Sequence, residues 1–483
     1  MTTRVLRFAS LGNVSRSLIS VSAATSSRTH VPEAEMSEPV ASSAEDSQTH
    51  RSLRPERGNS IHTSNAGSVQ RPLTREESIR EAVLLSFCDP LPDQCLQLLQ
   101  LSIREWMGQL EWLDISGLAL YFLDRMVELQ MCGLLPAQLI ARLHQNLIDN
   151  TLRTAGMIAE SVAIQQELQR ANLSYAVLKG ASLSPDSVPR LEFRHQFDLD
   201  FLVAEESILV AQQILERRGY HLHAMSVKAW EFKIHERPGV PLSDIYKDLP
   251  GRSVELHIDT NYSGRAQMLS RTENREFHGI RMPVLSPVDL FVGQGMHAYK
   301  DICNEYSRAS HLLEFRRHVI ARRDDIAFWE ELRTVTQDDQ RVTMGLGVVV
   351  QLITQVMGVF APEQLTSWTV HRLPLSVVSW TEIYGRRAIF KKFPGNKLYL
   401  LLQRELESVG IPAKRQVWSL LLPLRLPPTI VKSTAHESLS LRGRRYRLQL
   451  HQILSRLRFH IVEGIRYASE ARRWQQHKNR VHL

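Results

Sequence analysis

From about residue 74 to residue 170, apolar positions recur at alternating steps of three and four, which predicts a helical region. Thr74, followed three residues later by Glu77, has the form of a capping box ahead of Ile79, Ala82, Val83 and Leu84. Leu96, Leu99, Ile103, Trp106, Leu110 and Leu113 continue the spacing, and further helical stretches cover 118–129 and 139–147 before a long closing segment over 150–172. Pro90, Pro92, Gly133 and Pro136 punctuate the run, so four or five helices with core-facing stripes are expected. The period then changes. LSYAVL (173–178), FDLDFLV (197–203) and SVELHI (253–258) are β-prone, with a helical stripe over 208–218 that stops at Gly219. Strands alternating with helix predict an α/β or α+β core of roughly 110 residues. Helical spacing returns over 289–318, 325–335 and 342–360, and again over 446–474, where Tyr446, Leu450, Leu454, Leu457 and Ile461 share a face.

Two stretches fall outside that pattern. Residues 1 to about 72 are rich in Ser, Thr, Ala, Arg and His, follow neither period, and are expected to be a disordered tail. The first 32 residues hold Arg4, Arg7, Arg16 and Arg28 and no acid, the composition of an organellar transit peptide; a dispensable bacterial tail or an over-extended start is the alternative. Met344–Phe360 is the most apolar stretch, but it is interrupted by Gln351 and Gln355 and stopped by Pro362. It is shorter than the roughly 20 apolar residues of a membrane span, so a buried helix is expected. The layout is then a tail (1–72), an N-terminal helical region (73–172), a strand-containing core (173–285) and a C-terminal helical domain with a basic end (286–483).

Composition narrows the chemistry. With 483 residues, 43% hydrophobic and 23% charged, the chain is a globular protein of several domains rather than a fibrous, disordered or multi-span one. Its four cysteines, at 88, 95, 132 and 303, form no CxxC pair and have no His partner at zinc spacing. That argues against disulfide, structural zinc and thiol chemistry and makes a reducing, cytoplasmic location the expectation. The net charge of +8 is unevenly spread: residues 386–483 hold 21 Lys+Arg against 5 Asp+Glu, a net of +16, which leaves the rest at −8. Such a basic end suits an acidic partner such as polyphosphate, nucleic acid or an anionic membrane surface, or else is a solvated helical face.

The acids concentrate the catalytic interest. On an extended strand, residues two apart share a face, so Asp198 and Asp200 project together while Phe197, Leu199 and Phe201 face the core. Adjacent carboxylates repel unless a cation lies between them, and hard oxygen ligands suit Mg²⁺ or Mn²⁺. Glu255 and His257 share a face of the third strand, and if that strand pairs beside the second, Glu255 completes a three-carboxylate cluster. Two ions held about 3.5–4 Å apart by such a cluster can activate an attacking hydroxyl and stabilise a departing pyrophosphate. Gly180, with Ser182 opening a possible helix, marks a strand-to-helix turn that lets backbone N–H groups approach a triphosphate. Each signal alone also fits an ordinary strand edge with solvated acids; their combination is what is unusual.

These residues resemble the nucleotidyltransferase fold of the DNA polymerase beta superfamily, and in particular the bacterial family of uncharacterised nucleotidyltransferase-like proteins, over roughly residues 75–425. The matching motifs are Leu178-Lys179-Gly180; Arg194 four residues ahead of Asp198, with Asp200, Leu202 and Val203; Glu255-Leu256-His257; and Ser286, Pro287, Asp289 and Leu290 with His297 downstream. The resemblance implies an α+β fold: a nucleotidyltransferase-type mixed β-sheet with flanking helices, embedded between N-terminal and C-terminal helical regions. It also implies transfer of a nucleoside monophosphate from an NTP to a hydroxyl-bearing acceptor with two Mg²⁺ ions. By carry-over, Asp198 and Asp200 hold both ions, Glu255 holds the catalytic one, Gly180 and Ser182 face the phosphates, and Lys179 and Arg194 neutralise charge near them. The chain departs from the superfamily in placing Ala181 after Gly180, with Ser one place late. His257 and His297 read either as contacts to phosphate or acceptor or as hydrogen-bonded structural histidines. A catalytically silent nucleotide- or nucleic-acid-binding protein and a peripheral scaffold using the 446–474 helix are the alternatives from other classes.

Overall fold

A computed structural model of the chain describes residues 71–235, 242–248, 251–260, 268–412, 416–421 and 438–481. The expectations for residues 1–70, disorder and transit function alike, lie outside the described residues. Helix α1 (Arg75–Leu85) opens on the anticipated capping box: the Thr74 hydroxyl accepts from the Glu77 N–H while the Glu77 carboxylate accepts from the Thr74 N–H. The stripe through Leu96 and Ile103 does not form one helix. Ser102 and Glu105 build a second capping box that starts α2 (Ile103–Ser116), and residues 93–100 coil separately as a 3₁₀ segment. After α3 (Ala119–Glu128), a 34-residue helix α4 (Ala137–Arg170) merges the two segments expected at 139–147 and 150–172. Asn150 causes no break there, because its amide is turned inward to the carbonyls of Glu192 and Arg194.

The three expected strands are present as β1 (Tyr175–Leu178), β2 (Asp198–Ala204) and, fifth in chain order, β5 (Ser253–Asp259). Helix α5 (Ile208–Arg217) follows β2. Four more strands complete a seven-stranded mixed sheet: β3 (His221–Met225), β4 (Ala229–Lys233), β6 (Glu273–Phe277) and β7 (Ile280–Val284), in the order β3-β4-β5-β2-β1-β7-β6. β2 runs parallel to β5 and β1 parallel to β7, and the other neighbours are antiparallel. One face packs Tyr175, Val177, Leu199, Phe201, Val203, Val254 and Leu256 against Ile164 and Leu168 of α4 and Ile214 and Leu215 of α5. The alternation that buries these apolar residues sends the acids of β2 and β5 to the other face.

Beyond the sheet, the segment expected to be helical over 289–318 is two helices, α6 (Pro287–Ile302) and α7 (Ala309–Ala321). The chain between them is held by a turn from elsewhere: the Asn396 N–H donates to the Glu305 carbonyl at 2.8 Å. Gly395, at φ +96°, lies so close that a Cβ would stand 1.6 Å from that carbonyl oxygen. Then come α8 (Ile326–Thr336), the largely buried α9 (Gln340–Met357), α10 (Tyr399–Ser408) and the 43-residue α11 (Leu439–Val481). No helix among the described residues is long and apolar enough to cross a membrane. One continuous apolar cluster joins Ile79 and Leu84 of α1, Trp106 of α2 and Phe122 of α3 to Leu346 of α9, Trp380, Leu400 of α10 and Trp474 of α11.

Candidate active site

Strand register brings the acids together. In the parallel β2–β5 pair Asp198 lies opposite Ser253, Asp200 opposite Glu255 and Leu202 opposite His257. Directly opposed residues share a face, so Asp198, Asp200, Glu255 and His257 form one polar group there. Leu178 of β1 also faces Asp200, so Lys179, the next residue, emerges beside the carboxylates. On the far side, β4 places Glu231 opposite Glu255, and Lys233 pairs with Glu231 at 2.8 Å.

Two cations already meet Asp200. Lys179 Nζ lies 2.8 Å and His257 Nε2 3.0 Å from its Oδ1, and the same His257 nitrogen is 3.4 Å from Glu255 Oε2. Lys179 reaches this position from a backbone at φ +54°, a left-handed conformation rare for a residue with a Cβ. Such geometry costs about 1–3 kcal/mol, and it persists only where the surroundings enforce it. Burial alone would push the Asp200 carboxyl up, but Lys179 and His257 hold it well below the usual carboxylate range. Burial would lower His257, yet its hydrogen bonds to Asp200 and Glu255 raise it to about 9. Asp200 Oδ2 is buried without a hydrogen-bond partner among the described residues, an orphaned anionic oxygen on the face that also carries Asp198 and Glu255. One donor atom each from Asp200, Glu255 and His257 lies within 4.8 Å of the others, and the orphaned oxygen with the two carboxylates of that group fits a hard divalent ion such as Mg²⁺.

Asp198 behaves oppositely to its neighbour. Burial, then the charge of Asp200, pushes its carboxyl up to about 7, with Lys179 opposing only in part. A folded-state pKa above the ordinary 3.8 means that any stability Asp198 contributes is present below about pH 4 and lost as pH rises through about 7. Asp198→Asn is therefore expected to raise the thermal midpoint of the metal-free protein at pH 8 by several degrees, with the difference shrinking toward pH 4. Melting curves in chelator across that range check this; a variant no more stable than wild type at pH 8 would contradict it.

The other sequence candidates occupy more structural positions. Gly180 opens only a single 3₁₀ turn, Gly180–Leu183, rather than a helix. A Cβ on Gly180 (φ +47°) would stand 2.5–2.6 Å from the Gln196 side-chain amide, which itself donates to the Asp198 carbonyl at 2.6 Å. Gln196 thus packs the glycine turn against β2, a role with no sequence signal. The Ser182 hydroxyl is buried and donates to the Lys179 carbonyl at 2.9 Å. Arg194 is nearly buried and pairs with Glu314 of α7 at 3.3 Å, while the Tyr121 hydroxyl donates to Glu314 at 3.0 Å. Burial alone would lower Arg194 and raise Glu314; each instead moves toward its charged form because of the other. Glu314 and Tyr121 read as ordinary helix residues in the sequence, since their partners are 120 or more positions away.

A cavity of about 850 Å³ borders the polar face of the sheet and is lined by α6, α7, α9, α10 and α11. Lys179 and His257, the two groups on Asp200, form part of its wall. Arg194, Lys300, Arg341 and Arg456 add positive charge to the lining. His297 lies there as well, with burial pushing its imidazole down to about 3.

No curated protein matches the chain. Among solved structures, an antigenic nucleotidyltransferase-like protein from Paracoccidioides brasiliensis is similar over 43% of this chain and 94% of its own, at 16% identity and a TM-score of 0.28. The model of an uncharacterised nucleotidyltransferase family matches residues 103–348, just over half the chain and a span that includes every residue of the carboxylate group. On that match, the chain belongs to the uncharacterised nucleotidyltransferase family.

Proposed function

We propose that the protein transfers a nucleoside monophosphate from an NTP to a hydroxyl-bearing acceptor, with the NTP bound in the 850 Å³ cavity and the chemistry at Asp198, Asp200 and Glu255. The observation that carries this reading is the pairing of Asp200 with Glu255 across parallel strands, directly behind two cavity-wall cations. Asp198, Asp200 and Glu255 would hold Mg²⁺ or Mn²⁺, two ions in all, which when bound supply activation of the acceptor hydroxyl and neutralisation of the leaving pyrophosphate. Lys179 and His257 stand between these carboxylates and the cavity, where an ammonium and an imidazolium can meet phosphate oxygens. Arg194, held by Glu314, contributes a fixed positive charge to the same wall. Gly180 keeps the β1 turn close to β2, and Ser182 fixes the carbonyl of Lys179, so both act on the phosphates through the placement of Lys179.

The test is pyrophosphate release from each of the four NTPs with Mg²⁺, using small hydroxyl compounds, protein and nucleic-acid ends as acceptors. Release with at least one NTP, dependent on acceptor and abolished by chelation, is expected. No release with any NTP and no nucleotide binding by calorimetry would end the reading. A second reading, a silent nucleic-acid-binding member, draws on the exposed Arg442, Arg444 and Arg447 at the start of α11. It would show as nucleic-acid affinity falling steeply with salt in the absence of turnover.

A further inference from the structure

Another part of the same cavity wall holds side chains suited to a different kind of ion. His297 and Asp301 are four residues apart on α6 and so share one helix face, and His311 stands in the first turn of α7. One donor atom from each of the three lies within 4.8 Å of the others. His311 Nδ1 is 2.6 Å from Asp301 Oδ2, and the two imidazole centroids are 4.7 Å apart. His297 and His311 line the cavity. A structural histidine is normally anchored by a hydrogen bond through a ring nitrogen, yet His297 has no such partner among the described residues.

The geometry points to a site for a borderline divalent transition ion of the Zn²⁺ class, bound by His297 and His311 through ring nitrogens and by Asp301 through a carboxylate oxygen, with its remaining position open to the cavity. Two imidazoles and one carboxylate are the donor set of open zinc sites, whereas Mg²⁺ selects oxygen ligands throughout. Bonds of about 2.0–2.1 Å separate tetrahedral ligand atoms by about 3.3 Å, so the His311–Asp301 contact has to open by less than an ångström. Asp301 and His297 sit on one rigid helix, which leaves His311, at a helix start, as the side chain that adjusts. Arg308, Arg194 and Lys179 bear electrostatically on His311 against the carboxylate of Glu314, so the open position favours an anionic oxygen from a molecule in the cavity. None of Asp198, Asp200 or Glu255 takes part, so the site stands whether or not the carboxylate group transfers nucleotides.

The test is Zn²⁺ uptake by the chelator-stripped full-length protein in excess Mg²⁺, by equilibrium dialysis with metal analysis. It compares wild type, His257→Ala, His297→Ala and His311→Ala, with circular dichroism as the fold control. One equivalent is expected in wild type and in His257→Ala, with affinity at least a hundredfold weaker in His297→Ala and His311→Ala. No uptake by wild type, loss in His257→Ala instead, or unchanged affinity in both α6–α7 variants overturns the site. If neither of those variants folds, Co²⁺ bound to His257→Ala decides. Intense visible absorption from a low-coordinate, nitrogen-bearing site upholds the proposal, and the weak spectrum of an octahedral oxygen site overturns it.

Discussion

Asp200→Asn is expected to lower kcat/KM for nucleotide transfer a thousandfold or more, a loss of about 4 kcal/mol in transition-state stabilisation. Asp200 is the residue on which the whole polar group converges: Lys179 and His257 both contact its Oδ1, Glu255 faces it across the strand pair, and its Oδ2 is the orphaned oxygen. Asn presents one oxygen and no charge, so it can neither hold a divalent ion as Asp does nor keep Lys179 in place. Stability should move with activity here. With burial opposing and its two carboxylate contacts winning, His257 contributes stability fully present below about pH 6.5 and lost as pH rises through about 9. Removing the Asp200 charge weakens that contribution, so the metal-free Asn variant should melt below wild type and show a flatter fall in stability between those pH values. Asp198→Asn should also lose transfer activity while melting higher, since among the described residues no side chain hydrogen-bonds the Asp198 carboxylate, and burial and the charge of Asp200 outweigh Lys179 and Arg194 there. Steady-state kinetics and melting curves on the two variants separate these outcomes. More than a tenth of wild-type turnover in Asp200→Asn, or destabilisation of equal size in both variants, contradicts the assignment.

Glu314→Ala is expected to destabilise the fold by about 3–5 kcal/mol, because it strands the Arg194 charge in the interior. The side chains of Arg194 and Glu314 are only 12% and 3% exposed, and Tyr121 supplies the hydrogen bond to Glu314. The pair ties α3, the loop before β2 and α7 together at one point, so its loss should loosen the approach to Asp198 as well. Denaturant unfolding checks the size of the effect. A change below about 1 kcal/mol would place this pair with solvent-exposed ion pairs rather than buried ones. Arg194→Ala should destabilise for the same reason, which means that impaired nucleotide binding in that variant has to be measured on protein shown to be folded.

The elements that build the carboxylate-bearing face were legible because each obeys a strong period. β2 and β5 alternate large apolar residues with acids, and the pairing register follows once their apolar sides share a core. The strands that escaped detection lie at or near the margins of the sheet. All five residues of β3 are exposed, and β6 is polar, so neither carries an apolar alternation to read. Polar residues spent on backbone carbonyls were hidden in another way: the sequence separates 139–147 from the segment that starts at Asn150, although the Asn150 amide is turned inward within a continuous α4. At the site itself, Asp198, Asp200 and Glu255 announced themselves by spacing and Lys179 only through the family resemblance, whereas Gln196, Glu314 and His311 did not. Those three act through partners fixed by tertiary packing, and nothing in their local sequence distinguishes them from solvated loop or helix positions.

The apolar cluster that joins α1 to α11 has a consequence for biosynthesis. Ile79 and Trp474 belong to one core, and Arg80 of α1 donates to the carbonyl of Phe390. At roughly 5–20 residues per second, a ribosome needs roughly 20–80 s to travel from the first of these core positions to the last. Over that interval Trp106, Phe122 and their neighbours await partners that have not been made. The nascent chain is therefore an expected client of the chaperones that shield apolar surface, and truncation near the end of the gene removes part of the core that its earliest helices depend on.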